Sequence, residues 1–211
     1  MTKEAKIILI ITCVALGGLI WLISRNAPLT SADLTRLVLE NSHMTAKKEA
    51  KVTIVEFGDF QCPACGYAHP IMKQVLAAYK DNPNVNFVAR NFPLSIHFNA
   101  KSAAEAAEAA GEQGKYWEMY DKLYENQSQW STASDPTDIF AGYARELGLD
   151  AEKLKTAVEN NQFNATINQD MADGNAVGVS ATPTFFINGT KFEGALSVER
   201  FKQEIDSRLN Q

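Results

Sequence analysis

Cysteine is scarce in this chain, with three in 211 residues, at positions 13, 62 and 65. That scarcity argues against a secreted fold stapled by disulfides, which needs several cysteines at wide spacings. Histidine is equally sparse: His43, His69 and His97 are the complete set. No second Cys-x-x-Cys pair is present to complete a four-ligand zinc site of recognisable spacing. A site built from the one pair and a histidine stays open at this point, because His69 follows Cys65 by four residues and can share its helix face. No stretch interleaves basic with aromatic residues, and 25 acidic residues stand against 20 basic ones, so nucleic acid is not an expected partner. Internal repeats are lacking too, and the only biased segment is alanine-rich.

The longest apolar run is residues 7–23, flanked by Lys3, Lys6 and Arg25. Its length is at the short end of a bilayer-spanning helix and slightly long for the apolar core of a signal peptide. It is read as an uncleaved N-terminal transmembrane anchor within residues 1–25, with a removed signal peptide as the alternative. Either way the rest of the chain is exported. Residues 26–50 are polar and read as a linker, with one helical turn or a short edge strand around Leu34 to Leu39. About 180 residues remain, enough for one domain with a full core.

From Lys51 the pattern sharpens. Val52 to Phe57 is a β-branched run of the kind buried on both sheet faces. Ala68, Met72, Val75, Leu76 and Tyr79 form a helical stripe, and Val85 to Ala89 reads as a second strand, so residues 51–98 form a βαβ unit with a parallel pair. Residues 99–175 carry almost no strand signal and read as about four helices, with Asp135-Pro136 and Asp150 as starts and Gly148 as a stop. Residues 176–211 return to strand, Asn-Gly hairpin turn, strand and a last helix from Ser197.

Only two cysteines lie in the exported part, and two thiols separated by two residues cannot staple a fold. In Phe60-Gln-Cys-Pro-Ala-Cys-Gly66 the first cysteine ends a strand–loop segment and the second lies inside the following helix. Unpaired N–H groups and the positive dipole end of that helix favour a thiolate at Cys62. Pro63 suits the first helical turn, where its missing N–H is not needed. Cys62 is therefore the candidate nucleophile and Cys65, one turn deeper, the resolving thiol. Glu56 shares a strand face with Val52 and Ile54, so its carboxylate is expected in an apolar layer; a strand-end residue reaching solvent is the alternative.

Three motifs together resemble the DsbA family of bacterial thioredoxin-fold proteins, in its shorter, membrane-anchored forms: residues 55–65, Asn91-Phe-Pro-Leu94 followed by His97, and residues 178–189. The resemblance spans residues 45 to 209. It implies an α/β fold, a thioredoxin core interrupted by a helical domain and preceded here by the transmembrane helix. It implies that Pro183 follows a cis bond facing the cysteine pair, that Thr182 contacts substrate and thiolate, and that Gln61 tunes access to Cys62. Glu56 matches the family's buried acid and is assigned proton transfer with Cys65; His97 receives no firm role.

The expected function is transfer of the Cys62–Cys65 disulfide to exported proteins bearing free thiols, with reoxidation by a membrane redox partner. The domain would face the extracytoplasmic side of a bacterial membrane, held by a single pass, and no cofactor or metal is expected. A reductase or isomerase of the same fold, or a thiol-based metal-binding module, are the competing readings.

Overall fold

The computed structural model describes Thr12, residues 30–46 and residues 49–211. The expected membrane anchor, residues 7–23, lies outside the described residues except for Thr12. Among the described residues no helix is long and apolar enough to cross a membrane.

Among the described residues five strands form one mixed sheet: β1 (His43–Met44), β2 (Val52–Gly58), β3 (Val85–Asn91), β4 (Thr184–Ile187) and β5 (Thr190–Glu193), in the order β1-β3-β2-β4-β5. Only β2 and β3 run parallel, and the crossover helix α2 (Pro63–Ala78) joins them. The β-branched run of β2 is buried on both faces, as a central strand must be. Val52 and Ile54 pack with Met72 and Val75 of α2 on one face, while Val55 and Phe57 pack with Leu37, Val177 and Phe186 on the other. Asn188 and Gly189 both take positive φ, at 47° and 83°, in the turn between β4 and β5. Helix α9 (Val198–Leu209), capped by Ser197, covers the first face with Phe201 and Ile205.

The segment expected to be a linker is folded onto the domain. Helix α1 (Ser31–Leu37) opens with a capping box between Thr30 and Asp33, and β1 pairs with the edge of β3. Buried Arg90 ties this segment down, donating to the carbonyls of Arg36 and Leu37 and ion-pairing with Asp170 and Asp173.

The stretch between β3 and β4 holds six helical segments rather than four: α3 (Ala100–Glu112), α4 (Tyr116–Glu125), α5 (Gln127–Trp130), α6 (Thr137–Glu146), α7 (Ala151–Glu159) and α8 (Asn164–Ala176). The excess comes from breaks after Gly114 and at Asn126 that the sequence does not punctuate strongly. Helix α3 is the axis of the insert, and its alanines are buried on every side because their methyls let neighbouring helices approach closely. Glu105 and Glu108 are buried on the same helix. Glu105 accepts from the Phe163 N–H, and Glu108 accepts from Asn91 and bonds His43. A charged residue on a helix is not by that fact on its solvent face; partners across the fold decide it.

Candidate active site

Strand β2 ends at Gly58 and the chain turns through Asp59, Phe60 and Gln61 before Cys62 caps α2, with Pro63 at its first position. The turn is organised by Asp59, a carboxylate only 1% exposed. Its Oδ1 accepts the backbone N–H groups of Gln61 at 2.7 Å and Cys62 at 3.2 Å. Its Oδ2 accepts the Leu94 N–H at 2.9 Å and lies 2.7 Å from Nδ1 of His97. A buried carboxylate with four such partners is well satisfied, and it fixes the nucleophile's own backbone. This residue was missed in the sequence, where it reads as a turn former. The signal available was an aspartate just before a helix start, placed to accept N–H groups two and three residues on. His97 thus has a structural partner.

Cys62 and Cys65 carry free thiols in unlike surroundings. Cys62 is 7% exposed, with Sγ 3.4 Å from the Thr182 carbonyl oxygen. Its pKa is lowered to about 5, chiefly by the hydrogen bond from the Cys65 thiol; burial opposes this, and Thr182 and the N–H groups of Cys65 and Ala64 assist. The N–H groups of the helix terminus, which the sequence credits with this effect, contribute to it, and the partner thiol contributes most. Cys65 is fully buried, and burial pushes its thiol far above the ordinary range, with Cys62 and the nearby Glu56 charge adding to it. The Asp59 N–H reaches its Sγ at 3.5 Å.

Glu56 is 3% exposed, on the face that holds Cys65, and accepts a 2.7 Å hydrogen bond from the Tyr120 hydroxyl at Oε2. Burial raises its pKa to about 7, against the lowering effect of that bond. The Thr182–Pro183 bond is cis, as the resemblance implies, and the buried Thr182 side chain lies beside Cys62.

Gln61 departs from its expected place. Its side chain is buried and turned into the helical insert, where Nε2 donates to the Ser131 carbonyl at 2.8 Å and Oε1 accepts the Asn99 N–H at 2.7 Å. Both ends of the amide are occupied, so it braces the loop instead of facing incoming chains. Gln127, also missed, does similar work by donating to the carbonyls of Phe60 and Cys62. Neither glutamine is marked by a local motif, since each contact joins residues far apart in sequence.

The histidines do not gather at the cysteines. His69 lies 2.7 Å from Asp121, His43 pairs with Glu108 and His97 with Asp59. His69, Asp121 and Glu125 lie close enough to hold an ion, but the Lys73 ammonium already sits between the two carboxylates at 3.0 and 2.7 Å.

The family model described as Thioredoxin matches residues 39–207. The chain belongs to the thioredoxin family. Among solved structures it is similar to Pseudomonas aeruginosa DsbA2, at 26% identity and a TM-score of 0.62 over 80% of this chain and 95% of that one. It is also similar to a thioredoxin-like oxidoreductase from Silicibacter pomeroyi, at 28% identity and a TM-score of 0.66 over 87% of this chain and 99% of that one. This thioredoxin-family chain therefore has the DsbA-like oxidoreductase fold, with the helical insertion. Among curated proteins it is 35% identical to the Na(+)/H(+) antiporter NhaA 1 of Salinispora arenicola over 97% of its own length. The match covers 33% of that antiporter, so the chain spans about a third of the relative's length.

Proposed function

We propose that the chain is a thiol–disulfide oxidoreductase that donates the Cys62–Cys65 disulfide to exported proteins, as a DsbA-like oxidase. The observation that carries this reading is the asymmetry of the two thiols. Cys62, at the helix terminus, has a pKa lowered to about 5, while Cys65, buried against Glu56, is raised far above the ordinary thiol range. A substrate thiolate attacks Cys62 Sγ; the Cys62–Cys65 bond breaks, and Cys65 leaves with the electron pair and takes a proton, supplied by Glu56. A second substrate thiolate then attacks the mixed disulfide, forming the substrate's S–S bond and expelling Cys62 as a thiolate. A low-pKa thiol is a good leaving group and stabilises the reduced form, which makes the disulfide a stronger oxidant. The Thr182 side chain and carbonyl beside Cys62 support substrate contact at Thr182-Pro183.

In this reading residues 1–25 anchor the chain in a bacterial membrane and residues 51–98 and 176–211 form the redox core. Residues 99–175 brace it, and the site faces the extracytoplasmic side, where a membrane redox partner reoxidises it. The test is the redox potential in glutathione buffers. A value near the oxidising end of the thioredoxin-fold scale, about −120 mV, supports a donor; a value near about −270 mV makes it a reductase.

A further inference from the structure

Glu56 and Cys65 are both buried, so a proton exchanged between them must have a way to solvent. The sheet register offers one. His43 pairs with Ala89, and Ala89 pairs with Glu56, so the three lie side by side on adjacent strands and project from one face. With neighbouring strands about 4.8 Å apart, only a methyl group separates histidine from carboxylate across the row. A small cavity of about 10 Å³ lies beside Glu56, lined also by Gly58, Phe60, Ala89, Asn91 and the tyrosines of α4, room for about one water; His43 does not line it and meets it through Tyr116 and Ala89. Behind Tyr116 the His43 ring stacks on that residue at 3.5 Å and 8°, with Nε2 2.9 Å from Glu108 Oε2 and 24% of the side chain exposed. The other oxygen of Glu108 accepts from Asn91, which lines the same cavity. At the inner end the Tyr120 hydroxyl already donates to Glu56.

We propose that His43, held by Glu108, is the solvent end of a proton path serving the Glu56–Cys65 pair, a role that rests on the oxidoreductase reading above. When a substrate thiolate attacks Cys62 and the disulfide breaks, the Cys65 thiolate takes its proton from Glu56. The Glu56 carboxylate is then reprotonated through the cavity from the His43 side, and the imidazole recovers its proton from solvent. On reoxidation the proton travels outward as Cys65 attacks Cys62. His43 touches no reacting sulfur and is a positioning residue. The groups that face it are Glu108 from α3 and Tyr116 from α4. Those that face Glu56 are Tyr116, Tyr120 and Tyr124 from α4 and Cys65 from α2, while Arg90 lies on the other sheet face over Phe57 and is neutralised by Asp170 and Asp173.

The experiment is single-turnover reduction of the oxidised full-length chain by glutathione across pH 5 to 9, with His43→Ala and Ala89→Val beside the wild type. His43→Ala is expected to slow the step in which Cys65 is protonated about tenfold, below the range for direct acid–base catalysis. Its pH profile should shift, and imidazole added to the buffer should restore the rate. Ala89→Val, which fills the cavity, should slow the step without imidazole rescue. The equilibrium potential should stay unchanged in both, since a path changes rates and not end states. Wild-type rate and profile in His43→Ala, or slowing that imidazole fails to relieve, would overturn the path while leaving the oxidoreductase reading intact. A wild-type chain that exchanges no disulfide with glutathione would overturn that reading, and the path with it.

Discussion

The two ends of the first helical turn of α2 are built on opposite principles. At Cys62 the chain gathers polar groups: the Asp59 carboxylate on its backbone, and the Cys65 thiol, the Thr182 side chain and the N–H groups of Ala64 and Cys65 at its sulfur. At Cys65 it removes them, and the sulfur lies in the core with Glu56 as its charged neighbour. One thiol is stabilised as an anion and the other as a neutral group, although three positions separate them. The helix terminus contributes N–H groups to one sulfur, and what the rest of the fold packs against each sulfur sets the remainder of the contrast.

Removing either sulfur is the harshest test of this contrast. Cys62→Ser should abolish disulfide transfer, whereas Cys65→Ser should accumulate mixed disulfides with substrates, seen as slower bands on non-reducing gels. Trapping by the Cys62 variant instead would reverse the assignment. Next comes the polar end. Asp59→Ala strips a partner from three backbone N–H groups and His97, and should cost about 3 kcal/mol of stability in urea unfolding.

The apolar end is probed through Glu56, whose carboxyl pKa is raised to about 7 from 4.5. Because the unfolded chain loses this proton first, the wild type loses stability as pH rises from 4.5 to 7. Glu56→Gln removes that loss. Its advantage should be absent below pH 4 and reach about 3 kcal/mol by pH 8, read from urea midpoints at the two pH values; equal midpoints would mean the acid ionises freely. The mildest change is Gln61→Ala, which frees the Asn99 N–H and the Ser131 carbonyl and should cost about 1 kcal/mol. If Gln61 braces the loop, as its two hydrogen bonds indicate, stability should fall more than substrate selectivity changes.

The parts of this site legible in the sequence are those whose cause is local. The cysteine spacing, Pro63 after Cys62, the β-branched run of β2, the Asn188-Gly189 turn and the caps at Asp150 and Ser197 each depend on a few neighbouring residues. Glu56 was legible by alternation along its strand. Gln127, Asn99 and Tyr120 were not, because each reaches its partner across more than 30 residues and no periodicity encodes such a contact. Glu105 and Glu108 lie in the alanine-rich segment with no local mark of their burial, which follows from what packs around α3. Residues 30–46 looked like linker because their composition is polar, yet Arg90 and the edge of β3 hold them in place.

By itself, then, the sequence determined the βαβ unit and the closing hairpin and helix, the thiol pair and which thiol begins a helix, since backbone propensity and short-range spacing act within a few residues. Tertiary structure alone decided that Asp59 is the hub of the loop, that Gln61 faces inward, and that His43 shares a sheet row with Glu56. Those outcomes depend on strand register and on the helical insert docking over the loop, and only the folded chain brings the distant partners together.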